Sequence, residues 1–161
     1  MSTTNLQLVH DVLASADAEA INTLMEDYET VFLVDWREED DAIPSFCETI
    51  LETGSLAAET VDADNEAGFE IYINYAGRRL KVPLVIGPED RHITICSLNE
   101  ILHPDYEIRL VKTSDFSDTV TLIPLPIATW TELENQYGAA VFEHFYKITT
   151  KPNIFTDPMP F

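Results

Sequence analysis

Residues 69–86 read FEIYINYAGRRLKVPLVI. Phe69, Ile71, Ile73 and Tyr75 fall on one side of an extended chain, and Glu70, Tyr72 and Asn74 on the other. After Ala76-Gly77 the alternation resumes, with Leu80, Val82, Leu84 and Ile86 on one side and Arg79, Lys81 and Pro83 opposite. Successive side chains of a strand point to opposite faces. A period of two on both sides of a Gly-containing turn therefore predicts a β-hairpin with one buried face. Strands are expected over 69–75 and 79–85, with Ile71, Ile73, Leu80 and Val82 buried. A lone hairpin is not stable in water, so other elements must cover its apolar side.

Upstream, residues 3–28 carry two apolar stripes at helical spacing: Leu6, Val9 and Leu13, then Ile21, Leu24, Met25 and Tyr28. Two short helices are expected, broken near Ser15, with Ser15 or Asp17 capping the second. Thr30–Val34 is β-branched, apolar and short, and reads as a buried strand ending at Asp35-Trp36. Residues 37–41, REEDD, read as a solvated charged turn. Ile43, Phe46, Cys47, Ile50 and Leu51 then mark a helix stopped by Gly54. Residues 55–67, SLAAETVDADNEA, suggest a ragged strand over 56–61 followed by loop.

Downstream, Gly87-Pro88 breaks the sheet. Glu89-Asp90 open a helix carrying Ile93, Cys96, Leu98, Ile101 and Leu102, which His103-Pro104 ends. Tyr106–Thr113 alternates again, Ser114–Asp118 is turn chemistry, and Thr119–Leu125 reads as the returning strand of a second hairpin in the same sheet. Thr129-x-x-Glu132 matches a capping box ahead of Trp130, Leu133 and Tyr137. After Gly138, residues Val141, Phe142, Phe145 and Tyr146 read as a further helical piece. From about residue 150 the tail is proline-rich and extended, and Ile154, Phe155 and Phe161 suggest that it lies along the body. The fold class is α+β: one domain over residues 1–161, with a mainly antiparallel sheet of about five strands, including two hairpins, packed with helices.

At 161 residues the chain is long enough to bury a core. Its formal net charge of −20 makes free nucleic acid and anionic membranes poor partners. The charge is uneven. Residues 1–70 hold 18 Asp or Glu against Arg37 alone, and residues 71–161 hold 11 against eight Lys or Arg. Two runs are dense: Asp35 with Glu38, Glu39, Asp40 and Asp41, and Glu59 through Asp62, Asp64 and Glu66. Each fits either a solvated face, including adaptation to high salt, or an interface for a basic partner. Trp36 sits inside the first run as a possible anchor, and Trp130 reads as core.

Residues 1–20 hold no Lys or Arg and no continuous apolar run, so a secretory signal is not expected. No stretch of 18 apolar residues exists to span a membrane. Cys47 and Cys96 are expected as buried thiols in a reducing compartment, which points to the cytoplasm, although a disulfide between them stays open.

No catalytic motif stands out. His92 and Cys96, four apart on a predicted helix, lack two further zinc ligands, and a packed Cys with an exposed His is expected instead. Asp62, Asp64 and Glu66 resemble the start of a calcium loop. However, Ala67 stands where glycine is needed and Ile73 where glutamate is needed. No metal or cofactor is expected. Arg78, Arg79 and Lys81 form the only basic cluster and read as a charged edge that blocks strand addition.

A small, acidic α+β chain without a catalytic motif, carrying stretches such as WREEDD (36–41) and ETVDADNEA (59–67), resembles the bacterial immunity proteins. The resemblance implies a cytoplasmic inhibitor whose carboxylates oppose the Lys and Arg of a basic toxin or nuclease and cover its active site. The binding set it implies is Asp35, Trp36, Glu38, Glu39, Asp40, Asp41, Asp62, Asp64 and Glu66. Two other classes stand beside it. One is a nucleic-acid mimic, and the other is a small enzyme whose site assembles from residues such as His92, His103 and Asp105.

Overall fold

The computed structural model describes residues 4–114 and 118–157. Helices α1 (Leu6–Ser15) and α2 (Ala18–Met25) are separated as expected. The break follows from Asp17, whose carboxylate accepts from Glu19 N at 2.7 Å and Ala20 N at 3.1 Å. Those bonds satisfy two amides that a helix start leaves open. Strand β1 (Phe32–Asp35) leads through a 3-10 turn at Asp40–Ala42 into α3 (Ile43–Leu51). Strands β2 (Ala57–Asp62), β3 (Phe69–Tyr75) and β4 (Arg78–Lys81) follow, then α4 (Asp90–Leu102). The remainder is β5 (Tyr106–Val111), β6 (Thr119–Pro126), α5 (Ile127–Tyr137), α6 (Ala139–His144) and β7 (Phe145–Lys147).

The quoted hairpin forms. Tyr75 pairs with Arg78 and Ile73 with Leu80, leaving Ala76-Gly77 as a two-residue loop with φ of 52° and 79°. Both angles are left-handed, the geometry whose twist matches the flanking strands, and Gly77 adopts it without strain. Ile71, Ile73 and Val82 are buried, whereas Leu80 is only half-buried. Strand β4 also ends at Lys81, short of residue 85. Val82 N still bonds Ile71 O, but Pro83 brings no N–H and turns the chain, with Leu84 N bonding Val82 O. Ile86, expected inward, is exposed.

The largest departure is in the sheet. Instead of one sheet of about five strands, the described residues form two antiparallel sheets, of four strands in order β1-β6-β5-β7 and of three in order β2-β3-β4. The two hairpins lie in different sheets. Helices α3 and α4 pack between the sheets, while α1, α2, α5 and α6 cover the far face of the four-stranded sheet. The layers are thus outer sheet, helices, inner sheet, helices. The reason lies in the side chains. β3 is apolar on one face only, so its other face meets water. In β6 Val120 and Leu122 pack toward α3 and α4, while Ile123 and Leu125 pack toward Trp130 and Leu133 of α5. A strand apolar on both faces must be covered on both.

Two smaller corrections concern the C-terminal part. Phe145 and Tyr146 are not helical; they form β7, opposite Val111 and Leu110. Thr129 lies inside the first turn of α5 and caps nothing. The N-cap is Pro126, and the amide of Ile127 bonds Asp105 O at 3.0 Å. Thr129→Ala is therefore expected to leave the unfolding midpoint unchanged within about 0.5 kcal/mol, or to raise it, since alanine is the better helix former. A loss near 1 kcal/mol in thermal denaturation would restore the cap.

The tail lies along the body as expected where it is described, with Ile154 buried in the core between the sheets and Phe155 packed on it, but it is not extended: Thr156 N and Asp157 N both bond Asn153 O and close a turn. The turn at 115–117 and Phe161 lie outside the described residues. Both faces of β5 are covered, including the side that carries Glu107 and Arg109. Arg109 is buried, bonded to Glu107 at 2.7 Å and Glu134 at 2.6 Å, with its guanidinium 4.2 Å from the Trp130 ring. Trp130 Nε1 donates to Glu107 O. This cluster docks α5 on β5 and makes Trp130 core.

Candidate partner-binding surface

The first acidic run sits on the turn after β1, and its members take different roles. The Arg37 side chain bonds both oxygens of Asp35, at 2.9 and 3.0 Å. That pairing, with a further bond from Arg37 N, holds the Asp35 carboxyl well below the usual carboxylate range. Trp36 is 49% exposed, with the Arg37 guanidinium 5.9 Å from its ring. Glu38 is half-buried, and its carbonyl accepts from Arg91 Nη1 at 2.9 Å. Glu39 and Asp41 are exposed.

Asp40 is the exception, because it is not part of a solvated turn. Its side chain is 9% exposed, lies 3.3 Å from Arg91 Nη1 and accepts from Thr94 Oγ1 at 3.0 Å. Burial pushes the Asp40 carboxyl up, and Arg91 and Thr94 pull it partway back. Asp40 anchors the turn to α4 and is unavailable to a partner.

The second run occupies β2 and the loop after it. Asp62, Asp64 and Glu66 are exposed. Asn65 shapes the loop, its side chain accepting from Gly68 N and donating to Phe69 O. Glu59 faces the other way and pairs with Arg79 at 3.1 Å. The two runs meet, since Thr60 Oγ1 donates to Asp41 Oδ2 at 2.9 Å. Thr60 and Asp62 point to the same face of β2. Glu39, Asp41, Asp62, Asp64 and Glu66 therefore belong to one end of the molecule.

A groove of about 530 Å³ opens beside this loop, lined by Glu66, Phe69, Lys81, Val82, Leu84 and Ile86 among others. Its far wall is the strap 82–87. Buried Asp90 latches the strap by accepting from Val85 N at 2.8 Å and Gly87 N at 3.3 Å. Within that latch Ile86 is held at φ 58°, although a β-branched residue there costs about 1–2 kcal/mol. Val85 and Ile86 are 59% and 54% exposed. Reading the sequence missed this feature. The signal was Pro83, which removes a ladder donor and marks the end of a strand.

The basic cluster is spent within the fold. Arg78 donates to Ile101 O and His103 O at the end of α4. Arg79 lies 3.7 Å from the Tyr72 ring, and Lys81 pairs with Glu70 at 2.9 Å. Val82 N bonds Ile71 O inward, and Pro83, just past the end of β4, brings no donor that could extend the ladder.

Of the residues considered for catalysis, His92 and Asp105 are engaged within the fold, and His103 is exposed. His92 is buried and Cys96 half-exposed, the reverse of expectation, because residues 149–154 lie over His92. His92 Nε2 donates to Thr149 O at 2.8 Å, and Nδ1 accepts from Ile154 N at 3.2 Å. Burial lowers its proton affinity. Cys47 and Cys96 are free thiols, and burial pushes Cys96 up to about 11, so little thiolate exists at neutral pH. Asp105 accepts from Tyr75 Oη at 2.7 Å. Among the described residues no group of three His, Cys, Asp or Glu is placed to hold a metal, and no helix is long and apolar enough to cross a membrane. No protein family, curated protein or solved structure matches the chain.

Proposed function

We propose that the chain is an acidic binding protein of the immunity type, acting in the cytoplasm on a basic toxin or nuclease by covering its active site. The observation that carries this is the junction of the two acidic runs at Thr60 and Asp41, which assembles Glu39, Asp41, Asp62, Asp64 and Glu66 on one end. Clustered carboxylates raise the local concentration of a cationic partner and speed its encounter. The basic residues of β4 are paired internally and leave this end negative. Asp35 and Trp36 extend the surface along the turn after β1.

Reversing Glu39, Asp62, Asp64 and Glu66 to Lys tests the surface, with Asp40 kept for the fold and Asp41 for Thr60. With the partner recovered from the native host, the variant is expected to associate at least about tenfold more slowly at low salt. Its thermal midpoint should not fall. Equal association rates would remove this end of the molecule from the interface.

A further inference from the structure

The groove at the outer sheet joins three observations. It is walled by the acidic loop on one side and by apolar Val82, Leu84 and Ile86 on the other. Val85 and Ile86 are exposed although both are large and apolar. Ile86 is held in a left-handed backbone conformation by the Asp90 latch. Exposed apolar side chains beside a polar rim, here Glu66 with the Glu70–Lys81 pair, are the pattern of an interface centre with its polar border. The rim charge selects the occupant: Glu70 is paired with Lys81, so Glu66 sets the charge of the loop wall and favours a chain that brings a cation beside its apolar residue.

We infer that this groove receives one large apolar side chain of the basic partner, flanked on its own chain by Lys or Arg, with Val85 and Ile86 as the receiving anchors. This rests on the proposed function and adds the residue class that inserts. The acidic runs supply encounter rate, and the groove supplies residence time, because buried apolar contact acts on dissociation.

Two synthetic peptides alike but for the central residue, tryptophan or serine, with lysines on both sides, test it. Their affinities are measured by calorimetry at low salt, and their sites are mapped by amide shifts. The tryptophan peptide is expected to bind about tenfold more tightly, with shifts at residues 64–70 and 82–87. Ile86→Gly and Val85→Ser should cut that advantage to within about twofold. Glycine accepts the left-handed angle more readily than isoleucine, so Ile86→Gly should melt no lower than wild type, which separates lost binding from lost folding. The Val85 amide still reaches Asp90 in the second variant. Equal affinities for the two peptides, or an advantage untouched by both substitutions, would overturn the groove and leave the acidic surface standing. Binding of neither peptide at low salt would overturn both.

Discussion

Asp40→Lys is expected to destabilise the fold by about 3–5 kcal/mol, whereas Asp41→Lys next to it should cost under about 0.5 kcal/mol. The residues are adjacent, acidic and indistinguishable in the sequence. Asp40, however, meets Arg91 and Thr94 inside the protein, whereas Asp41 is exposed and its one bond, from Thr60, lies in solvent. A lysine at 40 removes the anion from a largely buried guanidinium and sets a second cation against it. Breaking a buried pair is costly because the surviving charge keeps its desolvation penalty. Asp40→Asn should be much milder. It adds no second cation and keeps an acceptor for Thr94, and although Arg91 loses its anion, Arg91 Nη1 still donates to Glu38 O. Urea denaturation of the three variants checks the order, and similar midpoints for Asp40→Lys and Asp41→Lys would refute the anchor.

His92→Ala is expected to cost about 2–4 kcal/mol and to loosen residues 149–157. The imidazole fills the space between α4 and the C-terminal segment and satisfies backbone groups of Thr149 and Ile154. Its loss leaves the buried Ile154 amide without its acceptor. The cost should shrink as pH falls from about 7.5 to 5.5. Burial depresses the folded pKa, so in the wild type the unfolded chain takes up a proton below about 6.5 that the folded chain refuses. His92 thus contributes stability above that pH and loses it below. Hydrogen exchange of the 149–157 amides provides the second readout. Wild-type protection there in the alanine variant would show that the segment is held by other contacts.

Much of the local structure was legible because it depends on neighbours in sequence. The break at Asp17, the turn at Ala76-Gly77 and the end of α4 at His103 are set by residues that act within one or two turns. The assembly of the hairpins into separate sheets was legible in principle. The alternation in β3 leaves Glu70, Tyr72 and Asn74 for water, whereas TVTLIPLP (119–126) offers water no face. The roles of Asp40, His92 and Arg109 were not legible. Each depends on a partner 25 to 62 positions away, at Arg91, Ile154 or Glu134. A buried charge and a solvated one look alike until the element that covers them is placed. The same holds for the site: the acidic runs are plain in the sequence, but their junction at Thr60 is a tertiary contact. The groove depends on Pro83 ending β4 before the alternation of side chains does.

The measurement closest to the central claim is the association rate of the recovered partner as a function of ionic strength. Screening shortens the reach of surface charges to about 10 Å at 0.1 M salt, so steering by a localised acidic end must weaken as salt rises. The wild type is predicted to show a steep fall in rate, and the Glu39, Asp62, Asp64, Glu66 reversal a nearly flat line that meets it at high salt. Parallel lines of equal slope for the two proteins would contradict the account, since they would place the steering charge elsewhere on the molecule.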